Sequence, residues 1–361
     1  MPIYVRWPRW CVPTSIAGAD SVPYPKIYID AMLLNWGDRL FHEPLKHVGA
    51  PRLSRAWLGD EAAEAARMRA QLARTLKRTP EVMVKITNKA SSAQGMGAVR
   101  RHLRYISRNG QVELEDQDGQ TIVGAEALRD LTDAWQLGGW GVPEKSVRRE
   151  VFNILLSMPP GTHRRAVREA ARDFASLEFG DGRAYVFAAH DDEAHPHVHL
   201  SVQVRGPDGR RLNPRKRDLR RWREQFAEQL RAHGVEANAT SRLTRGTTQR
   251  YPKQAVAHMA ARGEAPRYWR AVADDTQRRT GWQAQGGVFA AWREVAQAMA
   301  TSHSLEDRQM AIDVVNFVWA MPVQQDRPDA GRSQTAPREA PDRSAPDHGP
   351  KPGELGPAVE R

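Results

Sequence analysis

The chain of 361 residues has a single cysteine, Cys11, so an internal disulfide framework and any cysteine-based zinc cluster are excluded. It has no apolar run near the roughly 20 residues that a membrane helix requires. No apolar stretch stands behind the charges of MPIYVRWPRW, so no signal peptide and no membrane insertion are expected, and the expected location is the cytoplasm. No internal repeat is found. GxxxxGK[ST] is absent too, which leaves the chain without a phosphate-cradling motor motif. Acidic residues are outnumbered, 43 against 54 Lys and Arg, for a formal charge of +11. That balance points to a polyanionic partner rather than a small neutral substrate.

Texture divides the chain into four parts. Residues 1–80 form an N-terminal extension of unassigned role, aromatic and basic at first and Ala/Arg-rich and helical over Asp60–Lys77. Residues 81–245 alternate between strand and helix patterns. Residues 246–323 read as a helical C-terminal region. Residues 324–361 hold seven prolines and no aromatic residue, a composition expected to stay disordered.

In the middle part, Val82, Val84 and Ile86 alternate over Glu81–Asn88, the mark of a strand. A helix follows over Met96–Ser107, with Val99, Leu103 and Ile106 as its apolar stripe and Gly110 at its stop. Short segments on either side of Asp118-Gly119 read as a hairpin. Val151–Met158 is an apolar strand. After Pro159-Pro160-Gly161, Thr162 is placed to cap a helix burying Ala166, Val167, Ala170, Phe174 and Leu177. Two further strands, Ala184–His190 and His197–Val204, flank the turn 191–196, and a last helix spans Asp218–His233 with Leu219, Trp222, Phe226 and Leu230 inward. The implied class is α+β, a central antiparallel sheet with helices on one face.

The densest chemical signal is HDDEAHPHVHL, residues 190–200. Side chains two apart on a strand share a face, so His197 and His199 point together while Val198, Leu200 and Val202 face the core. Folding the hairpin brings His190 towards that pair. Three imidazoles could then hold one divalent cation, with Asp192 in the turn fixing one imidazole through its second N–H. An isolated HxH is usually a pair of surface histidines; the third histidine and the apolar opposite face are what favour a metal site.

Tyr105 lies off the apolar stripe of its helix, among Arg101, Arg104 and Arg108. Such cations favour a phenolate and steady an anionic phosphodiester. The plainer reading is a tyrosine packed at a helix edge. Downstream, residues 205–250 hold 13 cations and five anions, either a solvated face or a phosphate-tracking surface; Arg205, Arg210 and Arg211 are candidates there.

Taken together, AVRRHLRYISRNGQVELEDQDG, FNILLSMPPGT and AAHDDEAHPHVHLSVQVRGPDGRRLN resemble the relaxases of conjugative and mobilisable plasmids. These are mobilisation nucleases of the histidine–hydrophobic–histidine (HUH) superfamily, and the likeness is nearest the T-DNA-border-cleaving branch. It spans 81–245. The resemblance implies that Tyr105 attacks a phosphodiester of single-stranded DNA at a transfer origin, leaving a 5′-phosphotyrosyl link and a free 3′-hydroxyl. It also implies that His190, His197 and His199 hold Mg²⁺ or Mn²⁺ and that Asp192 is the motif carboxylate. Accessory relaxosome proteins and a coupling protein or secretion apparatus would be partners. His195 reads as a supporting residue or a spectator. One departure is that about 100 residues precede Tyr105, where the family places its nucleophile early. Other tyrosines, Tyr251 and Tyr268, lie in basic segments. Two alternatives remain: an HUH replication initiator or transposase, disfavoured because Tyr105 precedes the histidines, and a non-catalytic nucleic-acid-binding protein on the same scaffold.

Overall fold

The computed structural model describes residues 24–41, 61–88, 95–247, 259, 262–264 and 274–325. Its centre is a six-stranded antiparallel sheet: β1 Met83–Ile86, β2 Leu114–Asp116, β3 Thr121–Ile122, β4 Val151–Ser157, β5 Tyr185–His190 and β6 His197–Gln203, in the order β1-β4-β6-β5-β2-β3. The near-continuous apolar run of β4 suits an interior strand covered on both faces. In the β5–β6 register, Phe187 pairs with Leu200 on one face, and Ala188 with His199 and His190 with His197 on the other.

The α+β class and the antiparallel sheet stand as read; the helices, however, cover both faces. Helix α5 (Arg164–Phe179) and α6 (Lys216–Ala232) pack on Ile154, Leu156, Phe187, Leu200 and Val202. On the opposite face, α3 (Met96–Ile106) and α4 (Gly124–Leu137) pack Leu103, Ile106, Leu128 and Trp135 against Val186 and Ala188. The second layer follows from the period-two strands, since Val186 and Ala188 are apolar on the face away from Phe187 and need cover of their own. Helix α4 was not legible as a helix at the sequence level.

Two local expectations are corrected. The cap of α5 is His163, whose side chain accepts from the Ala166 N–H, while the Thr162 hydroxyl donates to the Pro159 carbonyl. The left-handed turn at Gly161 (φ 85°) starts the helix one residue later than the threonine suggests. Leu177 is exposed, because the last turn of α5 instead directs Phe179 inward, edge-on to Trp222 with ring centroids 5.5 Å apart.

A second core joins the two ends of the described chain. Helix α1 (Lys26–Phe41) and α2 (Glu61–Leu76) bury Leu33, Leu40, Met68 and Leu72 with Val288, Trp292 and Val295 of α8 (Gly286–Ala300) and Val314 and Phe317 of α9 (Leu305–Trp319). A shorter helix, α7, spans Asp275–Gln283. Arg69 ties the bundle by pairing with Asp30 at 2.6 Å and Asp307 at 2.9 Å. Gln324 and Gln325, at the head of the Pro-rich tail, close a short helix, α10 (Pro322–Gln325); the rest of that tail, Cys11, Tyr251 and Tyr268 lie outside the described residues. Among the described residues no helix is long and apolar enough to cross a membrane.

Candidate metal and nucleophile site

The site forms where the β5–β6 hairpin meets the C-terminal end of α3. The register sets His190 directly across from His197, and the alternation along β6 puts His199 on the same face. The three rings lie 4.6–5.1 Å apart between centroids, and one ligand nitrogen from each falls within 4.8 Å of the others.

Backbone carbonyls decide which nitrogens face inward. His190 donates its Nε2–H to the Ile106 carbonyl at 2.7 Å, and His197 donates its Nδ1–H to the His195 carbonyl at 2.9 Å. Nδ1 of His190 and Nε2 of His197 are thereby left as lone-pair donors. His199 is buried, and burial first, then the neighbouring His190 and His197, pushes it down to about 3. His190 is lowered as well, chiefly by burial. Three clustered imidazoles, two of them with tautomers set by backbone carbonyls, are a donor set suited to a divalent cation. The sequence-level assignment of tautomer control to Asp192 is therefore corrected. Asp192 accepts instead from Arg108 at 2.6 Å, and that guanidinium holds its carboxyl below the usual range. The side chain of His195 is exposed; its contribution is the carbonyl.

Tyr105 sits over this cluster. Its ring lies 5.8 Å from His199 and 6.5 Å from His190, and the side chain is 56% exposed, open to an incoming substrate. Just beyond it the chain reverses through three left-handed residues, Arg108 (φ 50°), Asn109 (φ 59°) and Gly110 (φ 90°). Gly110 is needed twice, for its φ and because a Cβ there would fall 2.6 Å from the Gly124 carbonyl carbon. The reversal brings the Arg108 guanidinium 5.2 Å from the Tyr105 ring centroid and 3.4 Å from Nδ1 of His190.

Two residues absent from the sequence-level site belong to it. His102, one helical turn before Tyr105, is mostly buried, its ring 6.2 Å from that of His199, and burial pushes it down to about 4. The H-x-x-Y spacing on a helix was the available signal. Arg164, at the start of α5, donates to the carbonyls of His190 (3.4 Å) and Glu193 (2.5 Å) and pairs with Asp191 (3.5 Å), clamping the turn that carries Asp192. Nothing in the local sequence marks it. Arg108, Arg164, Arg168, His190 and Asp192 line a cleft of about 820 Å³.

The remaining cations fall into two places. Arg101 and Arg104 are exposed on α3 beside Tyr105. Arg205, Arg210 and Arg211 lie past the far end of β6; Arg211 is engaged with Glu150 at 2.9 Å and with the Arg149 carbonyl.

Part of the chain is similar to known proteins. Residues 123–235 match the family model "Relaxase: MobA/VirD2-like, nuclease domain", a span that holds the three histidines and Asp192. The chain is 30% identical over 165 residues to the T-DNA border endonuclease VirD2 of Rhizobium radiobacter, covering 41% of this chain and 39% of that protein. It is 29% identical over 165 residues to the protein of the same name from Agrobacterium fabrum, covering 41% and 37%. The chain thus spans about two fifths of the length of these relatives. A solved structure titled "Molecular Basis of Vancomycin Resistance Transfer in Staphylococcus aureus" aligns over 45% of this chain and 98% of its own at 13% identity and a TM-score of 0.30. By the family match and these relatives, residues 123–235 of this chain are similar to the MobA/VirD2-like relaxase nuclease domain.

Proposed function

We propose that the chain is a metal-dependent relaxase that nicks single-stranded DNA at a transfer origin and holds the cut strand covalently, starting transfer of a plasmid or integrated element. The observation that carries this reading is the convergence of Tyr105, 5.8 Å from His199, on a cluster of three imidazoles.

In this reading the Tyr105 oxygen bonds to the scissile phosphorus and the O3′–P bond breaks. The phenol gives up its proton, and the departing 3′-oxygen gains one. The products are a 5′-phosphotyrosyl link and a 3′-hydroxyl, and because the phosphodiester count is unchanged the same site can rejoin a strand. Arg108, against the Tyr105 ring, supplies positive charge to the phenolate and to the phosphate oxygens. Asp192 keeps that guanidinium in place, and Arg164 keeps the turn bearing Asp192 in place. His190, His197 and His199 would hold the cation, which when bound polarises the phosphate and orients it. An all-imidazole set ranks Mn²⁺ or a later transition ion above Mg²⁺. Accessory relaxosome proteins and a coupling or secretion apparatus belong to the same reading.

The test is a denaturing gel with single-stranded oligonucleotides tiled across the element's own origin region, with Mn²⁺ or Mg²⁺ against EDTA. A metal-dependent protein–DNA adduct, lost in Tyr105→Phe, is the expected result. Binding of a cognate strand with no adduct would overturn the reading in favour of a non-catalytic DNA-binding protein. An adduct that survives Tyr105→Phe would move the nucleophile elsewhere.

A further inference from the structure

The end of the sheet opposite the histidines carries an aromatic surface that the nicking chemistry does not use. Trp140, in the loop after α4, is 59% exposed, an unusual state for the largest apolar side chain. It is nonetheless held rigidly. Its Nε1–H donates to the Pro207 carbonyl at 3.2 Å, and the turn beneath it fits flush, since a Cβ on Gly209 (φ 76°) would lie 2.9 Å from the ring. The Arg205 guanidinium stands 5.3 Å from the ring centroid, and Arg210 in the same turn, exposed to solvent, pairs with Asp208 at 3.5 Å.

Two routes connect this ring to the nucleophile. Along β6, the six steps from His197 to Gln203 cover about 20 Å. Along α3, the Met96 N–H donates to the Pro143 carbonyl at 2.9 Å, fastening the Trp140 loop to the start of the helix that carries Tyr105, which rises about 14 Å over that distance. Arg101 and Arg104 are exposed between the two points.

The geometry points to Trp140, with Arg205 and Arg210, as a stacking platform for an unpaired base of the substrate strand, some 15–20 Å from the scissile phosphate. That separation is roughly four to six nucleotides at stacked spacing, and fewer in an extended strand. This rests on the proposed single-stranded substrate and adds where the strand is gripped. A ring fixed in advance loses little freedom on stacking, and flanking guanidiniums serve the phosphates on either side. A polyanionic strand suits the surrounding cations better than an apolar protein partner would.

The test measures binding of fluorescein-labelled oligothymidylates of about 4 to about 16 nucleotides, a range set by typical single-strand site sizes. Trp140→Ala should weaken the longest by about ten-fold and leave the shortest within two-fold, and Trp140→Phe should restore most of the loss. A long strand carrying 5-iodo-deoxyuridine should photocrosslink to the peptide containing Trp140. Equal affinity of Trp140→Ala and wild type at every length would overturn the platform. So would an equal loss at every length that phenylalanine does not restore, which would mean a structural role or a protein-facing surface. Wild-type protein that binds no single strand at any length would instead overturn the proposed function, and the platform with it.

Discussion

Nε2–H of His190 donates to the carbonyl of Ile106, 2.7 Å away, so the strand bearing one imidazole is bonded to the residue next to Tyr105. One hydrogen bond therefore sets both the tautomer of His190 and the height of the nucleophile's helix above the cluster.

Loss of the phenol oxygen alone should separate chemistry from binding. Tyr105→Phe is expected to abolish the denaturant-resistant adduct while single-strand affinity stays within a few-fold, because the exposed ring and its arginine neighbours are kept. A drop in affinity as large as the drop in cleavage would mean that the hydroxyl serves binding instead.

The imidazole cluster predicts an order of metals. Mn²⁺ should saturate the protein at lower concentration than Mg²⁺, measured by calorimetric titration, and His197→Ala should abolish the high-affinity event. Undiminished nicking by His197→Ala in EDTA would rule the cluster out as the metal site.

Arg164 acts through the turn rather than on substrate. Arg164→Ala should slow cleavage by about ten-fold or more, with a small change in melting temperature since the residue is partly exposed. Arg164→Lys should recover little, because one ammonium cannot replace the guanidinium's reach to His190, Asp191 and Glu193 together. Full recovery by lysine would show that charge alone matters there.

Acid should weaken the fold before the carboxylates titrate. His102 and His199 are pushed by burial to about 4 and about 3, whereas an unfolded imidazole titrates near 6.5. Between those values the unfolded chain binds protons that the folded chain does not. Stability is therefore fully present above about 6.5 and is lost as pH falls towards the folded values, by up to about 1.4 kcal/mol per pH unit per group. Melting in EDTA from pH 7.5 to 5 should show this slope, and His102→Gln should flatten it. An unchanged slope in that variant would remove His102 as a contributor.

The site's outline was legible because a strand's period of two is short-range: HVH places two imidazoles on one face whatever surrounds them. The same periodicity located β1, an apolar run located β4, and helical spacing located α3. What escaped depends on contacts between distant segments. The inward-facing nitrogens are chosen by the Ile106 and His195 carbonyls, and Asp192 meets Arg108 only because of a left-handed reversal after α3. Arg164 reaches the turn from 27 residues away in sequence. Leu177 and Phe179 could not be ranked until Trp222 was in place.

The core shared by α1, α2, α8 and α9 has a practical consequence for dissecting the protein. The nuclease sheet is threaded between two halves of one helical bundle, like a loop closed by a buckle. A fragment begun near residue 80 would keep α8 but strip α1 and α2 from it, baring apolar surface around Val288, Trp292 and Val295. Fragments meant to isolate the nuclease should discard both halves of the buckle or neither, and insolubility after removing one half would report on the bundle rather than on the active site.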